Sequence, residues 1–555
     1  MKQSSSNGLK VVFLGGVGEI GKNMTAFEYG DDIIVVDSGL GFPDDSMPGI
    51  DLVVQDISWL VQNKARVRAF VITHGHEDHI GSLPYTLADI PAPVYGSRLT
   101  LALIDKKLRE HPNIKVKAVS VKPRAVVQIG AFKVEFIHVN HSVAGCFALA
   151  ISTPAGVVFH TGDFKIDLTP VDGQVIDLTR IGELGKKGID LLLCESTNVE
   201  RKGFSLSETT VGEKMGELFE KFKDRRLFVA TFASNVHRVQ QLIDLAVKFN
   251  RKVAFSGRSM LNVTDAAMKI GEMKIDTGRI IDIAHVGNFK NEEVLVVLTG
   301  SQGEPGSALA RMSTGEFNKI HLGSGDTVIL SSAPIPGNEK SVNTVVNNLI
   351  KRGTEVVYES LAEVHVSGHA CEEEIKIMHA LTKPKFFIPL HGEHKHLKKH
   401  SVLAQRLGMP ARNIAIPELG EVWELTPNNL KKLGVVPSGI RLIDGKGSGT
   451  TDSNVLRDRM TMSDEGICII GIGYNKQSGE LTSGPDITTR GLLYLEEMEA
   501  MIPEIRDVIR EALKKHNLNG GDPHEIRTTI RKDVQHFFFQ KKKRRPMVVT
   551  MLQSN

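Results

Sequence analysis

At 555 residues the chain has room for three or four domains of roughly 100 to 200 residues each. Its composition, 41% hydrophobic and 24% charged, excludes a wholly disordered or fibrous protein. A balance of 68 Lys+Arg against 65 Asp+Glu, net +3, also excludes a global basic field that would announce a nucleic-acid partner, so any polyanion must be met locally.

Taken in chain order, short apolar runs come first. Lys10 to Leu14, Ile33 to Val36, Ala69 to Thr73, Phe132 to His138 and Val157 to His160, separated by Gly, Asp and Pro turns, predict a sheet-dominated opening. Gly16-Val17-Gly18-Glu19-Ile20-Gly21 satisfies the dinucleotide pattern G-x-G-x-x-G. Met24 to Tyr29 followed at once by Ile33 to Val36 reads as a hairpin, however, so a tight glycine turn is expected in place of a nucleotide site. From Leu206 helical windows alternate with strands, Glu208 to Phe222, Leu227 to Thr231, His237 to Phe249, Lys252 to Ser256, Val294 to Thr299 and Thr327 to Ser331, which predicts a separate parallel sheet. Thr354 to Tyr358 and Phe386 to Leu390 resume the short style of the opening. The expected layout is a first domain in two pieces, 1–205 and 351–445, interrupted by an insertion at 206–350.

Residues 446–451, within the run Gly445 to Thr451, read as a flexible linker to a third α/β unit at 452–555. That unit is expected to hold a strand near Gly466 to Tyr474, helices near Glu496 to Lys515 and Pro523 to Phe538, and a closing strand at Met547 to Leu552. From 447 to 555 there are 16 Lys+Arg and 15 Asp+Glu, so it is no basic tail, and Lys541 to Arg545 reads as a solvated face. Cys146, Cys194, Cys371 and Cys468 are far apart with no C-x-x-C pair, which argues against disulfides and thiolate zinc and fits a reducing cytoplasm. The apolar runs are far shorter than the roughly 20 residues of a membrane helix, and the polar start, Met1 to Lys10, argues against a secretory signal.

His74-Gly75-His76-Glu77-Asp78-His79 carries the chemistry. Four ligand-type residues in six follow an apolar strand, and alternate residues of an extended loop point the same way. Further donors follow other strands: His141, Asp163 and His391. Together they make an inventory for two cations. His74, His76 and His141 would hold one, Asp78, His79 and His391 the other, and Asp163 would bridge them. Imidazole and carboxylate donors suit zinc or manganese, which acidify a water held between them. Asp37, at the end of the Ile33 to Val36 strand, is expected to orient the histidine loop. Ser234-Asn235 precedes a helix of the insertion, where an anion site and simple capping fit equally well. His394, His396 and His400 are expected to face solvent.

The hexapeptide is the metallo-β-lactamase signature, and the rest of the chain resembles the ribonuclease J family of the β-CASP group. The resemblance runs through Gly15 to Asn23, His160-Thr161-Gly162-Asp163, Glu195-Ser196-Thr197-Asn198, His365-Val366-Ser367-Gly368-His369-Ala370, Pro389-Leu390-His391-Gly392-Glu393, Asp486 to Gly491 and Lys543 to Met547. It implies a metallo-β-lactamase αββα sandwich with an inserted β-CASP α/β domain and a C-terminal α/β oligomerisation domain, assembling as a homodimer or homotetramer. It further implies a cytoplasmic, metal-dependent ribonuclease with 5′-to-3′ exonuclease action on 5′-monophosphorylated single-stranded RNA, some endonuclease activity, and RNA-decay proteins as further partners.

By the same resemblance His369 beside Glu195 would protonate the departing 3′-oxygen, and Asp78 belongs to the catalytic set. His365, Val366, Ser367, Gly368 and His369, with Ser234 and Asn235, would meet substrate phosphates. Gly49, Asp51 and Asp444 would hold a structural calcium. A different phosphodiesterase or DNA nuclease of the same superfamily is the alternative, and a non-catalytic RNA-binding scaffold is disfavoured because every expected ligand is present.

Overall fold

The computed structural model describes residues 8–554 apart from 45, 336, 446–452, 517, 519 and 520, so the expected linker lies outside the described residues. The chain divides into two compact units, one holding residues up to 41 and 54–440, the other 42–53 and 441–555.

In the first unit an eight-stranded and a six-stranded sheet share one core. Leu9, Val11, Phe13, Ile34 and Val36 of the former pack with Phe136, Leu149, Leu191, Leu193 and Ile388 of the latter. The alternate residues, among them Val12, Leu14, Ile33, Val35, Ile137 and Leu192, are buried with helix residues such as Leu60, Leu83, Leu103, Ile181 and Met378. Strands covered on both faces need apolar side chains at every position, which is why they read as unbroken apolar runs in the sequence. Helices outside two stacked sheets make the αββα sandwich.

Topology places the site. In the six-stranded sheet Gly156–His160, Leu191–Glu195 and Phe386–Leu390 run parallel side by side. Phe132–Val139, joined to them through the antiparallel strand Cys146–Thr153, ends at the same edge. In the other sheet Asp32–Val36 and Val67–Val71 are parallel neighbours. Asp37, the hexapeptide, His141, Asp163, Glu195 and His391 each stand at the carboxyl end of one of these strands. The glycine-rich run opens no helix: Gly16, Gly18 and Gly21 take positive φ, and the chain enters the hairpin Met24–Tyr29 with Asp32–Val36, as expected.

The insertion carries a parallel five-stranded sheet in the order Lys252–Ser256, Val294–Leu298, Arg226–Ala230, Asp326–Leu330, Glu355–Val357. Its last strand corrects the sequence reading. Thr354 to Tyr358 was expected to resume the first domain, yet Glu355–Val357 pairs with Asp326–Leu330, so the inserted sheet runs past 350. A three-residue edge strand holds no periodic signal that could assign it to one sheet or the other.

The second unit has the three-stranded sheet Leu481–Arg490, Ile467–Tyr474, Met547–Ser554. Helices Leu495–Lys514 and Pro523–Lys542 close a core of Ile470, Ile505, Ile509, Ile530, Val534 and Phe538 over it. The basic run is largely paired: Lys541 and Lys542 reach Glu504 and Glu497 at 2.8 and 3.1 Å, and Arg545 lies over the Phe539 ring at 4.5 Å. Among the described residues no helix is long and apolar enough to cross a membrane, and all four cysteines are buried and free.

Candidate active site

Asp37 organises the histidine loop. It sits in the left-handed region at φ 62°, which turns its carboxylate under the loop. Oδ1 accepts the Thr73 amide at 2.8 Å, and Oδ2 accepts the Thr73 hydroxyl at 2.8 Å and His79 Nδ1–H at 2.7 Å. With its own hydrogen committed to Asp37, the Thr73 hydroxyl can only accept from His74 Nδ1, 3.1 Å away. One carboxylate thereby orients two rings, leaving the lone pair of His74 on Nε2 and placing that of His79 on Nε2 once its ring is neutral. The Gly368 carbonyl does the same for His141, whose Nδ1 lies 2.6 Å from it.

These lone pairs converge on one another. His76 Nδ1 is 3.1 Å from both His74 Nε2 and His141 Nε2. A single ring hydrogen cannot satisfy both contacts, whereas tetrahedral ligands about 2.0–2.1 Å from a cation sit roughly 3.3 Å from one another. His79 Nε2 faces Asp163 Oδ2 at 3.1 Å, with Asp78 Oδ2 at 3.5 Å. His391 Nδ1 is 2.8 Å from Asp163 Oδ1. His391 Nε2 lies 3.2 Å from Asp78 Oδ2, yet is buried and, among the described residues, meets no hydrogen-bond partner in good geometry, the condition of a metal-binding nitrogen. Asp163 Oδ2 is 3.8 and 3.9 Å from His74 and His141 Nε2, between the two groups. The donor chemistry and spacing fit two divalent cations, one within His74, His76 and His141 and one within Asp78, His79, Asp163 and His391.

Electrostatics separate the groups. Burial drives His74 and His141 well below the ordinary imidazole value and His76 down to about 4, so all three are neutral, as ligands must be. Burial opposes charge on His79 and His391 as well. There Asp163 and Asp78, with Asp37 for His79, override it, raising His79 well above its ordinary value and His391 to about 10. Burial likewise opposes ionisation of Asp78 and Asp163, and the two imidazoliums outweigh it, holding both carboxyls low. Protons on His79 and His391 thus balance the buried carboxylates in the metal-free protein.

Glu195 ends its strand with Oε1 accepting the Phe164 amide at 3.0 Å and Oε2 facing His369 Nδ1 at 2.9 Å. Burial lowers the His369 pKa, but the Glu195 carboxylate more than offsets this and raises it. His369 Nδ1 is 3.8 Å from Asp163 Oδ2. Gly368 must be glycine, since a Cβ there would meet His141 Nδ1 at 2.7 Å and the Ser142 amide at 2.8 Å. Ser367 Oγ accepts from Asn198 Nδ2 at 2.7 Å, and the same amide reaches the His369 carbonyl at 3.2 Å. Val366 is buried. His365 Nδ1 faces Arg238 Nη1 at 3.2 Å.

Elsewhere the expectations fare differently. Asn235 caps helix Val236–Lys248, its Oδ1 accepting the Arg238 amide at 3.0 Å, and it lines a cavity together with His141, Lys165 and Glu208. Ser234 belongs to the tight turn before it, its carbonyl accepting the Val236 amide at 2.9 Å. In the second unit Arg459 bonds Asp444 and, at 3.0 Å, the Gly49 carbonyl, while Asp51 Oδ2 accepts the Gly445 amide at 2.9 Å. A guanidinium therefore already neutralises Asp444. His396 and His400 were expected in solvent, but both are buried; His400 bonds Ser196 Oγ at 2.9 Å and His379 Nε2 at 3.1 Å. His394 alone of the three is exposed. Thr73, Asn198, Glu208 and Arg238 enter the site through the fold, not through a ligand-type motif of their own. Asn198 stood three residues beyond Glu195 as the only signal, and the Arg238 to Glu208 pair had none.

Such a sandwich, with imidazole and carboxylate donors gathered at its strand ends, defines a hydrolase of the metallo-β-lactamase fold, and residues 17–175 match the metallo-beta-lactamase superfamily. Residues 224–349 match the ribonuclease J beta-CASP domain, 354–417 the Zn-dependent metallo-hydrolase RNA specificity domain, and 454–555 the ribonuclease J C-terminal domain. Ribonuclease J of Synechocystis sp. is 40% identical over all of this chain and 88% of its own length. That of Thermus thermophilus is 38% identical over 98% of this chain and 95% of its own, and ribonuclease J2 of Bacillus subtilis is 37% identical over the full length of both. A solved Enterococcus faecalis structure titled a protein of unknown function, 17% identical, covers 75% of this chain and all of its own with a TM-score of 0.55, a likeness of fold alone. The chain belongs to the ribonuclease J family, and is a metal-dependent, RNA-binding nuclease of the hydrolase class.

Proposed function

We propose that the chain removes nucleotides 5′ to 3′ from 5′-monophosphorylated single-stranded RNA and also cuts RNA internally, serving RNA maturation and decay in the cytoplasm. The observation that carries this reading is the Glu195–His369 pair, an acid held 3.8 Å from the carboxylate that stands between the two donor groups. Bound by the His74, His76, His141 set and the Asp78, His79, His391 set with Asp163 between, two zinc or manganese ions would supply Lewis acidity toward the scissile phosphodiester and acidify the attacking water. Asp37 and Thr73 hold the donor tautomers in place. His369, whose protonated form the Glu195 carboxylate favours against burial, gives its proton to the departing 3′-oxygen.

His365, Ser367 and the Gly368 amide, on a backbone shaped by buried Val366, hold a substrate phosphate, and Ser234 and Asn235 extend that surface from the insertion. Arg238, Arg201 and Lys165 place positive charge around His365, in support of an anion there. A closed pocket for a terminal monophosphate sets the next phosphodiester over the cations, and a triphosphate is too bulky and too charged to enter. Phosphate contacts read no base edges, so sequence preference is slight, while the 2′-hydroxyl separates RNA from DNA. Residues 452–555 serve oligomerisation, as a homodimer or homotetramer, and other RNA-decay proteins are the further partners.

The test compares mononucleotide release from otherwise identical RNAs bearing a 5′-monophosphate or a 5′-triphosphate, in a preparation free of pyrophosphohydrolase. Release from the monophosphate alone is expected. Equal rates would leave a plain endonuclease, and equal cleavage of DNA would favour the broader phosphodiesterase reading.

A further inference from the structure

Arg238, on helix Val236–Lys248 of the insertion, is 1% exposed. A guanidinium keeps its charge when buried and can only donate hydrogen bonds. Its Nε and Nη2 donate to the two carboxylate oxygens of Glu208 at 2.6 and 2.8 Å. Nη1 gives one hydrogen to the Ser331 carbonyl at 2.8 Å. Its other hydrogen faces His365 Nδ1 at 3.2 Å, with Ser331 Oγ beside it at 3.3 Å. That hydroxyl gives its hydrogen to the Val364 carbonyl at 2.7 Å and can accept a share of the same Nη1 hydrogen.

An N–H cannot donate to another N–H. His365 Nδ1 must therefore carry its lone pair toward Arg238, and the ring proton sits on Nε2. A second proton would have to displace the Arg238 bond. It would also enter a place that is largely buried and faces three cations, Arg238 from the helix, Arg201 from the segment after Leu191–Glu195, and Lys165 from the segment after Gly156–His160. Burial first, and these charges next, push His365 down to about 3. The nearby carboxylate of Glu208 is spent on Arg238.

We propose that Arg238 is a positioning residue for phosphate recognition, holding His365 as the neutral Nε2–H form so that the ring offers a substrate phosphate one directed hydrogen bond and no titrating charge. The inference rests on the reading of His365 as a phosphate contact given above. It explains why so costly a group as a buried arginine is retained here. Glu208 opens the first helix of the insertion, Arg238 lies on the second, and His365 lies on the segment returning to the sandwich. The ion pair thus fixes a side chain beside the Ser367 to His369 run from within the insertion. Lysine could not replace it, because a single ammonium cannot grip Glu208 with two bonds while meeting both the Ser331 carbonyl and His365.

The experiment uses the full-length protein with ring-15N histidine, without RNA, the His365 signals being identified by their loss in His365→Gln. Wild type is expected to show an unprotonated Nδ1 and a protonated Nε2, unchanged between pH 5.5 and 8.5. In the paired variant Arg238→Met with Glu208→Met, which strands no buried charge, the ring proton should exchange between Nδ1 and Nε2, while burial, the larger cause, still keeps the ring neutral in that range. With metal-loaded enzyme and 5′-monophosphorylated RNA, the same variant should raise KM roughly tenfold, the worth of one hydrogen bond to a charged group, with kcat little changed. His365→Gln, whose amide nitrogen can replace the ring donor, should recover more of the KM than His365→Ala. A wild-type ring that titrates in this range, or that carries its proton on Nδ1, overturns the role of Arg238 and leaves the phosphate contact standing; this holds even if the variant fails to fold. A locked ring with a KM unmoved by His365→Ala overturns the phosphate reading instead.

Discussion

Two histidines, His74 and His79, take their tautomers from the single carboxylate of Asp37, one directly and one through Thr73. Losing that carboxylate frees both rings to turn their protons inward. Asp37→Ala is expected to weaken metal binding by about 10- to 100-fold while the protein stays folded, as competition against a chelator dye would show. Unchanged affinity would mean that the loop backbone alone sets the rings. His369 makes the opposite case, since its partner is Glu195 and it would move a proton. His369→Ala should slow single-turnover cleavage by roughly 10² to 10⁴ with metal content intact. Loss of metal in that variant would make it a ligand, as the grouping of Asp163, Glu195, His369 and His391 within 4.8 Å allows.

Among the elements, helices Glu372–Thr382 and His394–Arg406 meet through a polar pair in an apolar setting. His379 and His400 bond each other at 3.1 Å beside the Phe387 ring, and burial pushes His379 down to about 4 and His400 well below its ordinary value. Both are neutral when folded and would take up protons near pH 6.5 when unfolded. With the folded values depressed, the unfolded chain binds more protons between these limits. The stability they confer is therefore complete above about pH 6.5 and declines as the pH falls toward 4. Urea unfolding from pH 7.5 to 4.5 should show this decline, and it should be shallower in the paired variant His379→Leu with His400→Leu. Parallel curves for the two proteins would assign the decline to other groups.

At the scale of the whole molecule, charge at the metal centre ties cation loading to pH. His79 and His391 hold protons in the metal-free protein, His391 up to about 10, and must surrender them to bind a cation. Zinc loading near pH 7 is expected to release at least one proton per chain, and affinity should rise with pH. Calorimetric titration in buffers of different ionisation enthalpy measures the release, and none would contradict the assignment of these two rings. Assembly supplies the other prediction. If 452–555 is the oligomerisation module, its removal should turn a dimer or tetramer into a particle of one chain by light scattering, and a full-length protein already of one chain would require another role for it.

The hexapeptide was legible because His74, His76, Asp78 and His79 are neighbours in the chain, and alternation along an extended loop carries their chemistry without any fold. His141, Asp163 and His391 were legible for a related reason, each following an apolar run that could only be a strand. The sequence by itself determined a sheet-rich opening and an inserted α/β segment and supplied the donor inventory, since these rest on local periodicity and on residue type, whereas the αββα sandwich followed from the family resemblance. Only the tertiary structure decided which partner each donor faces. Asp37 and His79 are 42 residues apart, and Glu208, Arg238 and His365 come from three distant segments. It also gave Glu355–Val357 to the inserted sheet and buried His396 and His400. Pairing across such distances is set by strand order and by the packing of whole faces, and neither leaves a trace in the spacing of residues along the chain.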